Sequence, residues 1–151
     1  MRYKKEKVFS HLTEYKSDVL KVVQCGYWVK NKIFYQHILP NEEYHKNIII
    51  NGFGDNLIKR IFSDGFKKHT GFHHLNSSQA LAFNLFSPLI EINKLELILK
   101  QIGIVDVVNS SKFEHIENKE EYTNFDFYIR GTVRKYFFEV KYTEDNFAST
   151  S

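Results

Sequence analysis

The chain has 151 residues and a mass of 18.0 kDa, with 42% apolar and 26% charged side chains, which suits one globular domain with a real core and excludes bulk disorder. Its one cysteine, Cys25, excludes an internal disulfide and a multi-cysteine zinc site, and its longest purely aliphatic run, Ile48-Ile49-Ile50, is far too short to span a membrane. The net charge of +3 is unevenly spread: residues 1–75 hold 13 Lys/Arg against 7 Asp/Glu, and residues 76–151 hold 8 against 11.

A basic half and an acidic half suit a protein that grips a polyanion with one part and holds cations with the other, although soluble domains also show such asymmetry by chance. The basic start, Met1 to Phe9, lacks the apolar segment of a secretory signal, so a cytoplasmic location is expected. Val8, Phe9, Leu12, Tyr15, Val19, Leu20 and Val23 recur at helical spacing, with Gly26 as the stop. Tyr27–Val29 and Ile33–Leu39 read as extended segments around a polar Lys30-Asn31-Lys32 turn. Tyr27, Trp28 and Phe34 are assigned to the core rather than to base stacking, and Cys25 is read as a small buried hydrophobe. Asp55 caps a short helix through Phe62.

The middle of the chain carries a capping box, Asn76-Ser77-Ser78-Gln79, with Leu75 as its hydrophobic staple. The body that follows, Ala80 to Phe86, is apolar nearly all round, as in a helix buried on most sides. Pro88 ends or kinks it, and Asn93-Lys94-Leu95-Glu96 opens a second helix that Gly103 closes. From Val105 the period changes. Lys112–Glu117, Asn124–Ile129 and Tyr136–Thr143 are short, aromatic and β-branched, which predicts an antiparallel meander packed against the two helices. The expected class is α/β of the α+β kind, in a single domain over residues 1–151.

Within the meander, Asp126 interrupts an apolar strand and Glu139-Val140-Lys141 lies in the next one. Strand alternation places Glu139 and Lys141 on one face, roughly 6.5–7 Å apart along the chain. Unpaired charges in apolar strands are costly, so the trio needs an explanation. Carboxylates around Mg²⁺ satisfy one another through the metal, with the lysine holding the attacking water; the plainer alternative is a cross-strand ion pair between Lys141 and Asp126. Two further Glu-x-Lys triplets, at Glu14-Tyr15-Lys16 and Glu117-Asn118-Lys119, read as solvated surface.

Asp126 followed by Glu139-Val140-Lys141 resembles the PD-(D/E)XK signature of restriction-endonuclease-like nucleases, and residues His74 to Leu89 resemble a bacterial family within that superfamily that carries an H-L-x-S-S-Q-A-x-x-F-N helix before the nuclease strands. His37-Ile38-Leu39-Pro40 is similar to that family as well, and the likeness spans roughly residues 27–147. It implies a restriction-endonuclease-like core and a deoxyribonuclease that uses Mg²⁺ or Mn²⁺. Asp126 and Glu139 would bind the metal, the Val140 carbonyl would be a third ligand, and Lys141 would orient the water. It also implies products with a 5′-phosphate and a 3′-hydroxyl. Glu114, and at one remove Gln79, are the further candidates for an added acidic or supporting group. The superfamily core adds a helix and a strand after the lysine, whereas this chain stops ten residues beyond Lys141. A missing C-terminal part of the core, or a homodimer partner completing the sheet, is therefore expected.

Three other readings stand beside the nuclease. A catalytically inactive nucleic-acid- or protein-binding module could use the same scaffold, and a purely structural interaction protein would show neither metal nor nucleic-acid affinity. His73-His74 with Asn76 and Asn84 could form a metal site, although histidine and asparagine at a helix entrance are ordinary caps. Lys4-Lys5 and Lys67-Lys68-His69 are candidate phosphate contacts or solvated clusters.

Overall fold

A computed structural model describes residues 5–50, 66–117 and 124–143. The fold is mixed α+β, with a two-stranded and a three-stranded antiparallel sheet. In chain order the elements are α1 (Lys5–Asp18), β1 (Gly26–Trp28), β2 (Ile33–Tyr35), a 3-10 turn (Asn41–Asn47), α2 (Ser78–Glu91), α3 (Glu96–Gln101), β3 (Val108–Ile116), β4 (Asn124–Gly131) and β5 (Lys135–Phe138). The predicted helix at Asp55–Phe62 lies outside the described residues. The chain divides into two compact units, one of residues 1–51, 68–81 and 141–151 and the other of residues 52–67 and 82–140. No helix among the described residues is long and apolar enough to cross a membrane.

The core of the first unit joins Leu12 of α1 to Val22, Leu39 and Leu75. Helix α1 ends at Asp18, about two turns before the predicted stop at Gly26. Val19 and Leu20 both donate their N–H to the Tyr15 carbonyl, and Lys21 turns the chain with φ +56°, so Val19 and Val23 point to water. Lys16 is not on a solvated face. It is 2% exposed, and its ammonium donates to the Gln24 carbonyl (2.7 Å) and the Ile38 carbonyl (3.1 Å). The helix face that looked polar in sequence therefore staples both ends of the 24–38 segment. Gly26 donates to the same Ile38 carbonyl, and an added methyl at Gly26 would overlap the Leu39 carbonyl oxygen.

The hairpin predicted around Lys30-Asn31-Lys32 forms, with Gly26 opposite Tyr35, Tyr27 opposite Phe34 and Trp28 opposite Ile33. Two of its rings are not core: Tyr27 is 40% exposed and Phe34 66%. Cys25 is exposed as well.

Helix α2 forms where its apolar body predicts, but its start differs. Ser77, not Asn76, is the cap: its hydroxyl accepts the Ala80 N–H (3.3 Å) and its carbonyl the Leu81 N–H. Asn76 instead donates its amide to the Thr143 hydroxyl (2.9 Å), and the Gln79 side chain accepts the His69 N–H (2.9 Å). Pro88 does not end the helix, which continues to Glu91. Asn93 closes α2 rather than opening α3. With φ +54° it donates to Ile90 while Lys94 donates to Leu89, the paired bonds of a Schellman motif. Gly103 (φ +77°) closes α3 in the same way, through Gly103 to Lys100 and Ile104 to Leu99.

The core of the second unit packs Ala82 and Phe86 of α2, Leu99 of α3 and Leu95 just before α3 against Phe127 and Ile129 of β4. Phe86 stacks on Phe127 (3.9 Å between ring centres) and Phe83 on Phe113 (4.1 Å). Such pairs contribute roughly 0.5–1.5 kcal/mol beyond the area they bury. The sheet runs β3-β4-β5 as a meander. Its last strand is shorter than predicted: β5 ends at Phe138, and Glu139, Val140 and Lys141 follow outside any described strand.

Candidate active site

The shortened strand has a side-chain cause. In the β4–β5 pair Phe127 faces Phe138, and Gly131 donates to the Arg134 carbonyl across the turn. Antiparallel rungs exchange bonds at every second pair, so counting from Gly131 the next exchange would join the Val140 N–H to Phe125. The Asp126 carboxylate takes that N–H instead, with its Oδ2 2.6 Å from the Val140 nitrogen. The ladder ends there. The aspartate is thus held, half-buried, against the backbone of the Glu139-Val140-Lys141 segment.

The registers align a third acid. Phe113 faces Phe127 and His115 faces Phe125, which leaves Glu114 directly opposite Asp126. Continuing the β4–β5 register by one residue sets Glu139 opposite Asp126 on the other side. In register, Glu114 and Asp126 thus line up across β3 and β4, and Glu139 extends this row of acids one residue past the end of β5. Glu114 also has φ +51°, a left-handed conformation that costs a non-glycine residue about 1–3 kcal/mol. Its Oε2 accepts a short hydrogen bond from the Asn124 side-chain amide. Sequence spacing alone could not place Glu114 in this row, because the row depends on how β3 registers against β4. Glu139 is exposed, and Val140 packs half-buried against the core of the second unit. Lys141, half-buried, is the next residue of the chain and the first of the segment belonging to the other unit.

The hairpin between β4 and β5 is pinned by a residue that the sequence did not single out. The Asp106 carboxylate accepts the N–H groups of Thr132, Val133 and Arg134 at 3.0–3.3 Å and the Tyr136 hydroxyl at 2.7 Å. These bonds hold its carboxyl below the usual carboxylate range, the Tyr136 hydroxyl contributing most, while desolvation first and the Asp106 hydrogen bond second push the Tyr136 phenol up. The strand that leads to Glu139 thus leaves the turn in one fixed direction.

The other sequence candidates lie elsewhere. Gln79 is 3% exposed and engaged by His69, so it supports the α2 entrance in the first unit. Glu117 pairs with Lys135 and His115 rather than standing alone in solvent. Lys68 lies over the Tyr44 ring, 3.6 Å from its centre, and burial pulls its ammonium below the ordinary lysine range. Residue 4 lies outside the described residues.

His73 and His74 are buried, not capping. Their rings meet edge to face (4.6 Å), and His74 also meets Trp28 edge-on (5.2 Å). Burial, with His73 and His37 close by, pushes His74 down to about 4, and its Nε2 has no hydrogen-bond partner among the described residues. Among the described residues, no three His, Cys, Asp or Glu side chains are grouped to hold a metal ion.

No curated protein and no solved structure matches this chain. One family does: the sequence model described as "Restriction Endonuclease associating with ARP" matches residues 10–151, a span that takes in the α2 entrance, the acid row and Lys141. The chain belongs to this restriction-endonuclease-associating family, REase-ARP.

Proposed function

We propose that this protein is a metal-dependent deoxyribonuclease of PD-(D/E)XK type whose reacting centre is built on the acid row. The observation that carries the reading is the 2.6 Å bond from Val140 N–H to Asp126, which fixes one acid against the segment bearing the other acid and the lysine. The Asp126 and Glu139 carboxylates and the Val140 carbonyl are hard oxygen donors of the kind Mg²⁺ and Mn²⁺ prefer, and Glu114 is the next oxygen donor in the row. With few side-chain ligands, waters would complete the shell, as is usual for Mg²⁺. A cation held there supplies charge to a scissile phosphate and lowers the pKa of bound water.

The chain's own groups do the rest. Lys141 orients the attacking water and balances charge on the phosphate. Asp126 keeps the Glu139-Val140-Lys141 backbone in place while carrying charge of its own. The products would carry a 5′-phosphate and a 3′-hydroxyl.

A second reading is a non-catalytic module on the same scaffold. It is favoured by the absence, among the described residues, of three grouped ligating side chains and by a family description that speaks of association. Cleavage of supercoiled and linear DNA with Mg²⁺, with EDTA and with Lys141→Ala separates the two. Metal-dependent cutting that the variant loses supports the nuclease. A folded wild type that neither cuts DNA nor binds Mg²⁺ overturns it in favour of the module.

A further inference from the structure

The β1–β2 hairpin is a ribbon with two unlike faces. Trp28 and Tyr35 face inward, where Trp28 meets His74 and Tyr35 meets His37 (5.5 Å). On the outward face the cross-strand pair Tyr27 and Phe34 touch ring to ring (5.0 Å, 52°) while standing 40% and 66% exposed. An exposed aromatic pair on a two-stranded ribbon forgoes the burial energy of its rings, which a binding partner would restore.

The charge around them names its chemistry. Lys30 and Lys32 stand exposed at the tip, and Lys21 stands exposed before the hairpin. No Asp or Glu occurs between Asp18 and Glu42. Neither tip lysine forms an ion pair with any described residue.

The ribbon is also rigid. Lys32 N–H closes the tip onto the Trp28 carbonyl (2.8 Å), the Asn31 amide holds the Tyr35 hydroxyl (2.9 Å), and His73 Nε2 lies 3.2 Å from the Tyr27 carbonyl. At the root, Gly26 packs against Leu39 with no room for a side chain, and buried Lys16 fixes the carbonyls on either side. The rings and lysines are therefore presented with little ordering left to lose on binding.

We infer that the β1–β2 hairpin is a grip for single-stranded DNA, with Tyr27 and Phe34 stacking on unpaired bases and Lys30 and Lys32 taking the adjoining phosphates. A protein surface would equally cover the rings, but it would not call for an acid-free stretch of 23 positions. The inference rests on the reading of the protein as acting on DNA, and it adds a strand-holding site to the proposed reacting centre.

The test is fluorescence anisotropy of a labelled oligothymidylate in EDTA, across a salt series. The proteins compared are the wild type, Tyr27→Ala/Phe34→Ala, Lys30→Gln/Lys32→Gln and Asp126→Asn. All four hairpin substitutions are at exposed positions, so the fold should hold, with circular dichroism as the check. The ring variant should weaken binding about 5- to 150-fold per ring. The lysine variant should lower the slope of log K against log salt by about 1.4, roughly 0.7 for each lysine on a single strand. Asp126→Asn should keep hairpin-dependent binding, so a loss of cleavage is scored apart from a loss of grip. Wild type that binds no oligonucleotide, or hairpin variants that bind as wild type does, overturn the grip without touching the reading of the acid row. Hairpin variants that change self-association instead, seen by sedimentation, overturn it in favour of a protein contact.

Discussion

His74 makes the stability of the first unit depend on pH. Its ring is 8% exposed and its pKa lies near 4, with burial the largest cause and His73 and His37 adding to it; an unfolded histidine titrates near 6.5. The folded state therefore resists protonation, and between pH 6.5 and 4 the unfolded state binds more protons. Stability is full above 6.5 and falls as pH drops through that window. A fall from 6.5 to about 4 is worth about 3.4 kcal/mol, and residual solvent screening brings the expected loss to about 2–3 kcal/mol. His37 and His73, also lowered by burial, add in the same sense. The groups facing the cluster are Lys16 and Lys68, which oppose its protonation, and Glu42, which favours it at His73. Trp28, the one tryptophan, lies edge-on to His74 and reports this unit directly. Urea unfolding followed by Trp28 fluorescence should give midpoints that fall from pH 6.5 toward 4, and His74→Phe should flatten most of that slope. A wild-type midpoint constant over the window, or an equal slope in a folded His74→Phe protein, would refute the reasoning.

Three further substitutions probe the frame of the site. Phe127→Ala, at a fully buried ring stacked on Phe86, should cost about 3–5 kcal/mol by thermal or urea melting, and a loss under 1 kcal/mol would contradict the packing. Lys16→Met removes the ammonium donor from the Gln24 carbonyl, leaves the Ile38 carbonyl with the Gly26 N–H alone, and should cost about 1–3 kcal/mol; equal melting would show that the staple contributes nothing. Gly26→Ala should cost about 1–3 kcal/mol, because its methyl meets backbone at Leu39 rather than a side chain that can swing away, and a neutral outcome would place the hairpin root elsewhere.

Much of the frame is legible in the sequence because local patterns decide it. The α2 body, the three-strand meander and the hairpin around Lys30–Lys32 follow from periodicity and turn residues, and a restriction-endonuclease relation follows from His74 to Leu89 and Asp126 to Lys141. What escaped depends on distant partners. Glu-Val-Lys-Tyr has ordinary strand character, yet the strand stops because a side chain from β4 takes its next N–H. Lys16 looks like surface until Gln24 and Ile38 supply its acceptors. Asn76 and Asn93 each suit a helix start, but Thr143 engages one and a left-handed backbone turn claims the other. Hydrophobicity assigns Tyr27 and Phe34 inward, but it does not say which face of a two-stranded ribbon is covered.

The bond between Asp126 and Val140 also bears on how such a protein can change its trade. Asparagine has nearly the same shape and keeps a carbonyl oxygen able to accept that N–H, so Asp126→Asn can preserve the strand exit while removing the charge. Under the proposed chemistry, one exchange of oxygen for nitrogen separates a working catalyst from an architectural relative with the same backbone. Descendants of a common ancestor could cross that line without passing through an unfolded intermediate. Under that chemistry, the identity of residue 126 would decide which of the two trades such a backbone follows.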